Sequence, residues 1–146
     1  MRTKTSSNYI SRRAWLQDIV GGENVVLRGR SALEYLQLFV GYLNESEIDV
    51  YAMDTGIYQN VNYHIVDSFD DIDFMQYGNV LCSSVSQAIN DMLNDFDNTD
   101  EQALAEALSD YYHLNGERFE GLSISPENLQ RFEYMKDWAM EYYNEG

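Results

Sequence analysis

Two carboxylates flank an isoleucine in the run Glu47-Ile48-Asp49-Val50-Tyr51-Ala52. In an extended chain positions i and i+2 point to the same face, so both acids would be presented to one divalent cation. Magnesium takes one or two protein carboxylates and fills its other positions with water and phosphate oxygens. Upstream, Gly29-Arg30-Ser31 marks a turn into a helix, whose first N–H groups would favour a phosphate anion. Asp67, on a later extended segment, would add a third carboxylate. These residues describe a metal-dependent transfer of a phosphate-bearing group, with Glu47, Asp49 and Asp67 as the metal ligands.

That layout resembles the Gly-Gly/Ser turn and Asp-x-Asp/Glu strand of nucleotidyltransferases, but with two departures. Arg30 stands where a second glycine would let a triphosphate approach the backbone, and Glu47 is a methylene longer than the leading Asp. Beyond Arg28 and Arg30 the chain offers little basic surface to hold three phosphates. A structural reading of the turn is simpler: Gly29 lets the chain turn, Ser31 caps the helix, and Ala32 and Leu33 pack. No residue is therefore assigned a catalytic role, and no cofactor is called for.

Other chemistry finds less support. His64 and His113 have no ligand partner at metal spacing, and no serine or cysteine is tied to them by a hydrolase motif. The only cysteine, Cys82, excludes an internal disulfide and sits in an apolar strand. The run Asp67-Ser68-Phe69-Asp70-Asp71-Ile72-Asp73 lacks the central glycine and closing glutamate of a calcium loop. Asp91, between Ile89 and Leu93, belongs at the edge of an apolar helix face, either bonding a neighbour or binding a partner. Tyr142, Tyr143 and Trp138 suit core packing or a partner surface better than base stacking, because their helix is acidic. The candidate binding residues are Arg28, Arg30, Ser31, Asp91 and Trp138.

Positioning these residues requires an alternation of strands and helices. β-Branched and aromatic runs bounded by Gly, Asn and Asp predict strands at 24–28, 48–53, 63–69 and 79–83, with 58–61 as a possible short addition. Capping boxes at Ser31-x-x-Glu34, Ser84-x-x-Gln87 and Thr99-x-x-Gln102, and the pair Ser125-Pro126, predict helix starts. Apolar stripes follow them: Val85, Ala88, Ile89, Met92, Leu93 and Phe96, then Leu104, Ala107, Leu108, Tyr111 and Tyr112, then Leu129, Phe132, Met135, Ala139 and Tyr142. A short first helix over 11–20 ends at Gly21-Gly22. The expected fold is α+β: a small mixed sheet of about four strands packed with about five helices, its C-terminal half helical.

With 146 residues and one proline, the chain reads as a single domain over 1–146, large enough to bury a core. No apolar run reaches the roughly 20 residues of a membrane helix, and the N-terminus lacks the apolar core of a signal peptide, so a cytoplasmic protein is expected. Charge is segregated within the formal net of −16. Residues 1–30 carry six basic groups against two acidic ones, the basic segment 1–23 including Arg2, Lys4, Arg12 and Arg13; residues 31–146 carry three against twenty-three. Such a body repels nucleic acid and favours a basic partner by long-range steering, or is simply solubilising.

Three blocks in one order carry a further implication: Gly29-x-Ser31-Ala32-Leu33 entering a helix, the strand from Glu47 to Ala52, and a strand from Asn79 entering a helix with Ala88, Ile89, Asp91, Met92 and Leu93. This order, from about Asn24 to Tyr143, resembles the C-terminal domain of AbiEi-type antitoxins of type IV toxin-antitoxin pairs. Members usually carry an N-terminal winged helix, for which the chain before Asn24 is too short, so autorepression is not expected of this chain. The resemblance implies a non-enzymatic antitoxin opposing a nucleotidyltransferase-type toxin encoded nearby, through contact or through its effect. Two alternatives stand beside it: an acidic protein-binding module or nucleic-acid mimic, and the transferase itself.

Overall fold

Alternating burial along β2 (Ile48–Ala52) sets the sheet: Ile48, Val50 and Ala52 are buried on one face, while Asp49 and Tyr51 stand half-buried on the other. The computed structural model describes residues 12–38 and 47–145, with side chains over 13–38 and 47–140. Arg2, Lys4, the expected helix start at Ser11, and the side chains of Arg12, Tyr142 and Tyr143 lie outside the described residues.

Around β2 the other strands are β1 (Val25–Leu27), β3 (Val61–Ile65), β4 (Phe74–Tyr77) and β5 (Val80–Ser83), in the order β3-β2-β1-β5-β4. β1 pairs antiparallel with β2 and parallel with β5; β2 pairs parallel with β3, and β4 antiparallel with β5. The class is α+β with a mixed sheet, and among the described residues five α-helices accompany it: α1 (Arg12–Val20), α2 (Gly29–Tyr35), α3 (Val85–Asn94), α4 (Glu101–Leu114) and α5 (Leu129–Glu145). None of the described helices is long and apolar enough to cross a membrane.

Two strands differ from expectation. β3 begins at Val61, whose buried side chain lies in register with Ile48, and ends at Ile65 rather than continuing to Phe69. Within the expected 58–61 piece, Tyr58 makes only an isolated bridge. β4 was not anticipated: it is an edge strand with no β-branched and no buried residue, joined to β5 by a Gly78-Asn79 turn with Gly78 at φ +62°.

Helix ends also divide. Ser84 caps α3 as expected, its Oγ accepting from Gln87 N at 3.1 Å, but Gln87 does not complete the box: its Oε1 accepts from Asp73 N at 3.0 Å. Thr99 does not cap α4. Its hydroxyl donates to Met92 O at 2.6 Å and Asp95 O at 2.9 Å, closing the end of α3, while Asp100 caps α4 by accepting from Ala103 N at 3.1 Å. Ser31 lies inside α2, not at its start, because Gly29 at φ +51° already turns the chain after Arg28. Pro126 opens a 3₁₀ turn ahead of α5, and Ser125 makes no side-chain cap there.

One core joins all of these elements. Trp15 and Leu16 of α1, Leu33 of α2, Ile89 of α3, Leu108 of α4 and Met135 of α5 are fully buried. Asn90 fastens the chain before α5 onto α3: its Oδ1 accepts from Ser125 N at 2.9 Å and Asn128 Nδ2 at 3.1 Å, and its Nδ2 donates to Ser123 O at 2.7 Å. Arg131 NH1 adds a bond to Leu93 O at 2.9 Å. The side chain of α5's Trp138 is part-buried against the core.

Candidate functional site

The parallel register of β2 and β3 builds the floor of a polar cleft. Asp49 stands opposite Asn62, and Tyr51 opposite His64. Cross-strand neighbours on one face are within contact distance, and both pairs interact. Asn62 Nδ2 donates to Asp49 Oδ1 at 3.0 Å, and the Tyr51 and His64 rings meet edge-on with centroids 6.4 Å apart. Arg28, directly after β1, joins them: its backbone N–H donates to Asp49 O at 3.0 Å and its guanidinium lies over the Tyr51 ring at 4.8 Å.

The guanidinium also fixes the histidine tautomer. Arg28 NH1 lies 2.9 Å from His64 Nε2, and since arginine only donates, Nε2 must accept and the proton sits on Nδ1. Burial, and then the Arg28 charge, hold His64 below the usual histidine pKa.

One wall comes from α3 and the turn after it. Asp91 is buried, 6% exposed; its Oδ1 accepts from Gln87 Nε2 at 3.1 Å and its Oδ2 makes no hydrogen bond. Burial raises the Asp91 pKa; the neighbouring Tyr51 phenol and the charge of Arg28 pull it back only in part. Tyr51 is raised in turn, by burial and then by Asp91. Asp95, Asn98 and Asp100 continue the wall.

Ser31 ties the turn to the strand. Its buried Oγ accepts from Asp49 N at 2.9 Å across two elements. Arg30 spans the mouth, 3.9 Å from Glu34 on its own helix and 3.9 Å from Asp100. Gly29 packs against α3: a Cβ built on it would sit 3.7 Å from Met92 Cγ, ordinary contact. The resulting cleft has a volume of about 290 Å³.

Of the residues singled out from sequence, Arg28, Arg30, Glu47, Asp49 and Asp91 line this one cleft, and Ser31 braces it from behind. Asp67 and Trp138 do not line it. Asp67 is exposed two residues beyond β3, so the acids that join Glu47 and Asp49 are Asp91, Asp95 and Asp100. No group of three or more His, Cys, Asp or Glu among the described residues is placed to hold a metal ion.

Tyr51, Asn62, His64, Asp95 and Asp100 were missed. Tyr51 and Asn62 were legible only through the i, i+2 spacing from Asp49 and through a strand register that no local pattern sets. Family models, curated proteins and solved structures give no match to this chain.

Proposed function

We propose that the chain is a non-enzymatic, antitoxin-like protein that counters a nucleotidyltransferase-type toxin encoded beside it. The observation that carries this reading is the interlock of the three blocks on which the AbiEi resemblance rests. Ser31 Oγ binds the Asp49 N–H at 2.9 Å, Cys82 Sγ lies 3.7 Å from Ala32 O, and Gly29 packs on Met92. Residues that define the resemblance in sequence are those that hold turn, strand and helix together around one cleft.

Support for a non-enzymatic role comes from how the transferase-like residues are used. The Ser31 hydroxyl and an Asp49 oxygen are engaged internally, and Arg30 occupies the turn position beside its Asp100 and Glu34 partners. Expressing the neighbouring gene with and without this protein, then measuring growth and co-purification, tests the proposal. Toxicity relieved by co-expression is the expected result; a harmless neighbour, or toxicity unchanged, would sink it. Labelled-nucleotide transfer lost in Asp49→Ala would instead establish an enzyme.

The cleft's excess of carboxylates favours a second reading, an acidic module that inhibits a basic nucleic-acid-binding protein. Its mark is a complex that weakens steeply with salt and is displaced by DNA or RNA.

A further inference from the structure

We propose that the cleft receives one arginine side chain of a protein partner. Naming the toxin as that partner rests on the reading above; the cation site itself does not.

Five carboxylates line the cleft (Glu47, Asp49, Asp91, Asp95 and Asp100) against two guanidiniums, those of Arg28 and Arg30. His64 adds no positive charge while its Nε2 accepts from Arg28. An anion such as phosphate would therefore meet net repulsion, and a cation net attraction.

Acidic clusters are common on solvated surfaces, and what distinguishes this one is Asp91. The residue is 6% exposed, lines the cleft, and its Oδ2 makes no hydrogen bond. Burying such an oxygen unpaired is costly, and a ligand bringing N–H donors and positive charge removes the cost. At the rim, Glu47 is exposed and makes no ion pair among the described residues.

Size and geometry select the ligand. About 290 Å³ lies just below the roughly 300–1,000 Å³ range of small-molecule sites, which suits one side chain better than a nucleotide. The acids approach from different elements: Glu47 and Asp49 from the start of β2, Asp91 and Asp95 from α3 and its end. A guanidinium carries five donors in a planar fork and can bond more than one of them, which the compact ammonium of lysine does less well. The fold repeats this pairing at its own edge, where Arg30 reaches Glu34 and Asp100.

Titrating the full chain with the peptide acetyl-Gly-Arg-Gly-amide, followed by amide NMR, tests the site, with the neutral citrulline peptide and Mg²⁺ alone as parallel arms. The expected result is saturable shifts at Asn62, Asp91 and Asp95, with the citrulline peptide about tenfold weaker or more, the scale of one charge-assisted hydrogen bond. Asp91→Asn should weaken the arginine peptide by a similar factor, and Asp67→Asn, outside the cleft, should not change it. Glu47→Gln, exposed at the rim, should weaken it several-fold and carries the test if Asp91→Asn does not fold.

Equal binding of the citrulline peptide overturns the proposal. So do shifts scattered over the acidic surface, or cleft shifts produced by Mg²⁺ and not by the peptide. Loss of growth rescue with peptide binding intact removes only the antitoxin reading; rescue without peptide binding removes only this site.

Discussion

Replacing Ser31 with alanine separates two roles for one hydroxyl. As a helix cap it would serve an N–H within α2; in the structure it accepts from Asp49 N at 2.9 Å and so clasps α2 to β2. Ser31 is 1% exposed, and no water replaces the lost oxygen without a rearrangement of the packing. Leaving a buried donor unsatisfied costs about 1–3 kcal/mol, so about 2 kcal/mol is expected for Ser31→Ala. With a urea dependence of about 2 kcal/mol/M, typical of small domains, the unfolding midpoint should fall by about 1 M. Loss of a cap costs about 1 kcal/mol, close enough that stability alone does not discriminate. Amide hydrogen exchange does. In the variant the Asp49 amide should lose protection beyond the decrease shared by core amides, while that of Glu34 follows the core. A variant in which Glu34 becomes fast and Asp49 keeps its relative protection would refute the clasp.

Three further outcomes follow from the same packing. His64 should titrate below 6.5, and Arg28→Met should raise its pKa only part-way, because burial is the larger cause. Since the folded pKa is the lower one, the unfolded chain binds more protons just below pH 6.5, so His64 makes stability fall as pH drops through that range; NMR titration paired with denaturation at each pH checks both. Cys82 is buried, with its thiol pushed up to about 12, and should resist alkylation at pH 8 until the protein opens, so labelling that outpaces unfolding would contradict it. Leu108→Ala, at a fully buried position of α4, should cost about 2–5 kcal/mol in a denaturant titration, with exposed Leu114→Ala near neutral.

Legibility in the sequence tracked how local each interaction is. The start and apolar face of α3 could be read, since both are local and Ser84 to Gln87 is a three-residue contact. The Thr99 and Ser31 motifs fit the same pattern, yet tertiary partners took their hydroxyls: the end of α3 in one case, β2 in the other. β4 went unread because an exposed edge strand needs no β-branched face; its turn residues, Gly78 and Asn79, were the available sign. At the site, the acids and arginines announced themselves by type, but the pairing of Tyr51 with His64 depends on a parallel register between β2 and β3. Asp91 was placed at the edge of its helix face; it lies buried and accepts from Gln87 one turn back.

The position of β1 also governs the order in which the chain can assemble. Both neighbours of this three-residue strand come later in the chain, and the parallel one, β5, meets it through Val26 beside Leu81 and Leu27 beside Cys82. Closing so long a loop before any contact repays it slows folding, whereas α4 and α5 gain their mutual packing from nearby sequence. On the ribosome, where chains grow at about 5–20 residues per second, Val26 and Leu27 therefore wait several seconds for β5. Until then an apolar strand edge stands open to other nascent chains. A product stalled before Val80 would lack β5 altogether, leaving a fragment that clearance or a chaperone must handle rather than a partly working protein.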